Sequence, residues 1–159
     1  MSAVAVQDRI EKSVALAATP ERVWEALTTP EQLTQWFYMS EAVLDLRVGG
    51  ECTFRFKDPD QSVGRAVLQT IDPPRKLAWQ WNPTWDEDKT KPLAGQENLT
   101  TVEFTLEPTE QGTFLTVVEH GFAALDAMRG AKAFDDHKGG WDWHMGNLDL
   151  WLSGKPING

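Results

Sequence analysis

Four successive stretches of this chain place bulky apolar side chains two residues apart: Cys52, Phe54 and Phe56; Leu77, Trp79 and Trp81; Val102, Phe104 and Leu106; Leu115 and Val117. Successive side chains of a strand face opposite sides, so this spacing predicts strands that share one apolar face. The intervening positions are mostly polar, as in Thr53-x-Arg55-x-Lys57 and Thr101-x-Glu103-x-Thr105. Turn signals separate the runs at Gly49-Gly50, at Asp72-Pro73-Pro74 and from Pro108 to Gly112. Alternation also predicts strands from Arg9 to Ala17 and from Val63 to Ile71. A further strand starts at Glu41, with Val43, Leu44 and Leu46 leading into the Gly49-Gly50 turn of a hairpin. A sheet of this kind needs something to cover its apolar face.

Helical signals flank the strands. Thr19-Pro20-Glu21 and Thr29-Pro30-Glu31 each offer an N-cap, a proline in the first turn and an acid behind it. Val23, Trp24 and Leu27 follow on one face of the first helix, and Leu33, Trp36 and Phe37 on one face of the second. After Phe122 a Gly- and charge-bearing connection is expected, then a terminal helix from Trp141 to Gly154 with Met145, Leu148, Trp151 and Leu152 at helical spacing. Pro83 to Glu97 lacks periodicity and reads as a long loop at a functional rim or a disordered one. The order strand, two helices, about six strands and a helix means α+β, with one sheet face covered. One domain over residues 9–154 is expected, with short tails at 1–8 and 155–159.

Net charge and cysteine usage exclude several classes of function. The formal charge is -9 and Lys and Arg form no cluster, so a nucleic-acid partner is not expected. Cys52 is the one cysteine, which rules out an intramolecular disulfide and points to a reducing, cytoplasmic setting. Met1 to Arg9 lacks the basic start and apolar stretch of a signal peptide, and no run suits a membrane span. There is no G-x-S-x-G, P-loop or dinucleotide fingerprint, so no cofactor is expected.

The apolar face supplies the candidate site. Phe54, Phe56, Trp79, Trp81, Phe104, Leu106, Leu115 and Val117 would face Met145, Leu148, Trp151 and Leu152 of the terminal helix, either as plain core or as the wall of a ligand cavity. Glu119 shares their parity, and a carboxylate there costs several kcal/mol unless paired or protonated. It would anchor a ligand or accept a proton, or else reach solvent or an Arg at the strand end. Arg55 and Arg65 are read as solvated residues of the outer face. His120, His137 and His144 with Asp135 and Asp136 have poor metal-ligand spacing, and no metal site is expected. Cys52 reads as a small core residue, with nothing nearby to form a thiolate.

Ala18-Thr-Pro-Glu-Arg-Val-Trp24, Thr29-Pro-Glu-Gln-Leu33 with Trp36, Gly49-Gly50, Ile71-Asp-Pro-Pro-Arg-Lys-Leu77, Val118-Glu-His-Gly-Phe122 and Gly140-Trp141 occur in an order that resembles a known family. It is that of the homologues of the activator of the ninety-kilodalton heat-shock chaperone's ATPase, a branch of the START-like superfamily. The resemblance implies a helix-grip fold: a curved antiparallel sheet of about six to seven strands wrapped around a long C-terminal helix, with a cavity between them. It also implies a function in one of three classes, since one fold hosts several. The expected one is binding of an apolar, lipid-like or aromatic small molecule. The alternatives are a polyketide cyclase or aromatase, in which Glu119 or His120 moves a proton, and a stress-associated interaction protein that meets a chaperone through its acidic surface. The eukaryotic activators carry a further N-terminal chaperone-binding domain for which this chain has no room, so a chaperone partner is not expected. A homodimer formed through sheet edges fits the resemblance.

Overall fold

The computed structural model describes residues 7–157. In chain order the elements are β1 (Arg9–Leu16), α1 (Pro20–Thr28), α2 (Pro30–Trp36), β2 (Met39–Val43), β3 (Glu51–Phe56), β4 (Val63–Asp72), β5 (Lys76–Trp81), β6 (Thr100–Thr109), β7 (Gly112–His120), a short 3-10 turn (Phe122–Ala124) and α3 (Ala127–Leu152). The strands form one antiparallel sheet in the order β1-β7-β6-β5-β4-β3-β2. First and last strands are therefore neighbours, and α1 with α2 carries the chain from one sheet edge to the other. Register shifts in β2 between Met39 and Glu41 and in β4 between Leu68 and Thr70 mark bulges, which bend a sheet.

Apolar alternation places Phe54, Trp79, Phe104, Leu115 and Val117 on the face that packs against α3, all of them buried. On the helix side Ala133, Phe134, Trp141, Met145 and Leu148 meet them. The burial of these side chains drives the wrap, since each large one contributes about 1.5–3 kcal/mol when removed from water.

Several local expectations change. The terminal helix starts at Ala127 rather than Trp141, because Asp126 caps it by accepting from the Arg129 N–H at 3.0 Å. The buried positions 133, 134, 141, 145 and 148 then hold one face through the glycines, so tertiary packing overrides their low propensity. Thr19 caps α1 as expected, accepting from Arg22 N–H at 3.2 Å. Thr29 does not cap α2 with its side chain: it also ends α1, and its hydroxyl donates to the Glu25 carbonyl at 2.6 Å. Strand β2 stops at Val43, so Leu44 and Leu46 lie in the turn rather than in a strand. That turn folds too tightly for a side chain at Gly50, where a Cβ would stand 2.0 Å from the Asp45 carbonyl oxygen.

The 83–97 loop is held in place by side chains. The Asn82 amide donates to Asp86 at 2.8 Å and its oxygen accepts from Thr84. Arg129 of α3 pairs with Asp86 and donates to Thr84 Oγ1 at 3.0 Å. The Gln96 side chain bridges Asp88 and Pro92, and Leu93 is fully buried. Arg65 is accordingly not a solvated residue: the loop folds back over it, where it donates to Glu51 at 2.8 Å and to the Asp88 carbonyl at 2.9 Å and faces the buried Glu87. Arg55 is exposed, as expected.

Candidate functional site

At the end of β7, strand parity turns Glu119 inward, and the residue is fully buried. It reaches neither solvent nor an Arg. Its Oε2 accepts from Trp81 Nε1–H at 2.8 Å and from the Thr100 hydroxyl at 2.6 Å. Its Oε1 accepts from Trp141 Nε1–H at 2.8 Å and lies 2.6 Å from His137 Nδ1. His137 Nε2 lies 3.0 Å from the Pro83 carbonyl, which can only accept. Both ring nitrogens thus face acceptors, so His137 is an imidazolium paired with a carboxylate. Strands β5, β6 and β7, helix α3 and the 83–97 loop meet in this network.

Burial alone would push the Glu119 carboxyl up and the His137 imidazole down. Their mutual attraction and shared hydrogen bond, helped by Thr100 and Trp81 on one side and the Pro83 carbonyl on the other, reverse both directions. The carboxyl therefore titrates below its ordinary 4.5 and the imidazole above its ordinary 6.5. A lowered acid stabilises the fold above its unfolded value and loses that contribution as pH falls through the folded one. A raised base does so below its unfolded value and loses it as pH rises. The pair's contribution is expected to be greatest between pH 4.5 and 6.5 and to decline on both sides. Denaturant unfolding across pH checks this; a contribution still rising above neutrality would contradict the ion pair.

Beside the network lies a cleft of about 280 Å³ between α3 and the sheet. Rings of Phe37, Tyr38, Phe56, Trp81, Trp85 and Trp141 form its walls, with Asp58, Ser62, Asp136, His137 and His144 as polar groups. Trp85 closes one side. Its indole lies across Gly64, 5.2 Å from the Phe56 ring and 4.9 Å from that of Trp81. Glycine is required beneath it, since a Cβ at 64 would come within 2.7 Å of the indole. His144 stacks on Phe37 at 4.4 Å, and burial, with the charge on His137, pushes its pKa down to about 4. It is a neutral imidazole whose buried Nδ1 has no hydrogen-bond partner among the described residues.

Of the residues expected to form a ligand wall, Phe56 and Trp81 line this cleft. Phe54, Trp79, Phe104, Leu115, Val117, Met145 and Leu148 pack into one another as core, with Leu106 beside them. Trp151 donates to Gln32 of α2 at 2.8 Å, and Leu152 is half-buried at the helix end. His120 alternates to the opposite face from Glu119. Cys52 is buried, and burial pushes its thiol up to about 11, away from thiolate chemistry. Sequence reasoning did not place Phe37, Tyr38, Trp85 or Trp141 at the site; a lone tryptophan within a polar loop was the available signal for Trp85. Among the described residues no group of three or more His, Cys, Asp or Glu side chains could hold a metal ion, and no helix is long and apolar enough to cross a membrane.

The sequence model for "Activator of Hsp90 ATPase homolog 1-like protein" matches residues 17–152. The chain belongs to this family. Solved structures similar to this activator-homologue chain share its helix-grip fold. One, a protein from Nitrosomonas europaea, is 21% identical, with a TM-score of 0.73 over 96% of this chain and 99% of that one. The solution structure of an Aha1 dimer from Colwellia psychrerythraea is 20% identical, with a TM-score of 0.71 over 92% of this chain and 96% of that one. DynU16, a protein of the dynemicin biosynthetic locus, is 23% identical, with a TM-score of 0.70; the match covers 94% of this activator homologue and 49% of DynU16. No curated protein matches the chain.

Proposed function

We propose that this chain is a small-molecule binding protein whose ligand, an apolar body built on rings, occupies the cleft between α3 and the sheet. The observation that carries this reading is the aromatic-walled space of about 280 Å³ that the protein's own side chains leave open. A dry cavity of about 150 Å³ takes one benzene ring, so this volume suits about two fused rings. Such a pocket, mostly apolar with a few placed polar groups, has the usual character of a ligand site. Glu119 takes no part in proton transfer in this reading: four donors occupy its oxygens, and its role is to hold Trp81, Trp141 and His137 in the walls.

Native mass spectrometry of the freshly purified protein, beside calorimetric titration with β-naphthol, tests the reading. Bound mass or saturable binding is expected. The Gly64→Ala variant is expected to bind about tenfold or more weakly, because a methyl at that position displaces Trp85, and one misplaced carbon in an apolar pocket has effects of that size. A wild-type protein that carries no ligand and shows no saturable binding would sink the proposal.

A further inference from the structure

The charges around the cleft are lopsided. No Lys or Arg is among its lining residues, which include the two carboxylates Asp58 and Asp136. Asp136 is already compensated, since Lys132 donates to it at 2.9 Å on the exposed side of α3. Asp58 is not. Its Oδ1 accepts from the Ser62 N–H at 2.8 Å and its Oδ2 from the Ser62 hydroxyl at 2.7 Å, both neutral donors, and among the described residues it joins no ion pair. Those bonds, the hydroxyl's first, hold its carboxyl below the ordinary range, so it is anionic at neutral pH. Each oxygen keeps a lone pair for a further donor.

The other titratable groups do not offset this charge. The imidazolium of His137 is matched by Glu119 in direct contact. His144 is neutral. The walls themselves favour positive charge, because the faces of indole and phenyl rings carry negative electrostatic potential and tryptophan attracts cations most strongly. An anionic ligand would meet Asp58 with no uncompensated cation among the described lining residues to pair with, since His137 is already matched by Glu119.

We propose that the ligand of this cleft is an organic cation, a positively charged nitrogen on a small ring-bearing body, with Asp58 as its counter-charge. The inference rests on the small-molecule reading above and specifies the chemistry of that ligand. The aromatic walls take the body and the flanks of the cation, and the carboxylate of Asp58 at the rim sets the sign.

Two soluble phenols of equal shape separate charge from shape: meta-trimethylammoniophenol, which is cationic, and meta-tert-butylphenol, which is neutral. Calorimetric titration of the full chain at low salt and neutral pH is expected to show the cation binding about tenfold more tightly. In Asp58→Asn, which keeps one acceptor oxygen for Ser62, the cation is expected to lose its advantage, so that the two affinities converge to within about threefold. Circular dichroism of the variant verifies that it is folded. Neutral binding as tight as cation binding, or a preference that survives Asp58→Asn, overturns the cation proposal and leaves the small-molecule reading standing. Absence of binding by both phenols and by β-naphthol overturns both.

Discussion

Replacing Glu119 by Gln is expected to lower the free energy of unfolding by about 3–5 kcal/mol, the usual cost of removing one partner from a buried ion pair. At a chain length of 159 residues this corresponds to a fall in Tm of about 6–20 °C. The size follows from the number of groups left behind. Trp81 Nε1–H, Thr100 Oγ–H, Trp141 Nε1–H and His137 all point at the two carboxylate oxygens. Gln offers one acceptor oxygen and turns an NH₂ toward the remaining donors, and the buried imidazolium loses its counter-charge. Denaturant unfolding of wild type and variant measures the loss. A change under about 1 kcal/mol would mean that the carboxylate is dispensable and that the pairing with His137 is not formed in solution. Removing Glu119 and His137 together for apolar residues should cost less than the two single changes added, since neither then leaves an unpaired charge.

Trp141→Ala is expected to cost a similar amount, about 3–5 kcal/mol, but by a different route. The Trp141 ring sits edge-on to Phe37 and Phe104 at 5.6 and 5.7 Å and lies near-parallel to Trp81 at 6.1 Å, so truncation leaves a cavity bounded by rigid rings that cannot collapse into it. Trp141→Phe keeps most of that packing and removes only the N–H to Glu119, and is expected to cost about 1 kcal/mol. Equal losses for the two variants would place the value of Trp141 in its hydrogen bond rather than its bulk. Because Trp141 also walls the cleft, the small-molecule binding proposed above predicts that Trp141→Ala accepts larger ring systems than the wild type.

Parity made the sheet readable. Phe54 and Phe56, Trp79 and Trp81, Phe104 and Leu106, and Leu115 and Val117 each stand two residues apart within a strand, and one residue's slip would have turned them all outward, so the sequence could place them on the inner face without any knowledge of the partner strand. The same logic put Glu119 among them. Its partner was not readable, because His137 lies on a part of α3 where glycines outweigh the apolar spacing and where helicity comes from packing against the sheet. Arg65 was misplaced for a related reason. Nothing in the strand pattern reports that a loop eighteen or more positions later will fold over it, with Glu87 and the Asp88 carbonyl brought down onto its guanidinium. The division between core and cleft was also hidden. Both are built from the same rings, and which of them leave space open depends on volumes and on Trp85, a residue with no periodic neighbours.

The pairing of β1 with β7 also governs when this molecule can exist during its own synthesis. Arg9 finds its partner in His120 and Leu16 in Thr113, so β1, made before the other described strands, waits for β7, the last of them, before this pairing can form. Helix α3, which covers the inner face, arrives later still. Such long-range closure makes for slow folding and leaves aromatic strands uncovered meanwhile. A nascent chain stalled before Gly112 would carry the sheet's apolar side bare, and its escape from aggregation would depend on whatever shields nascent polypeptides in the cell.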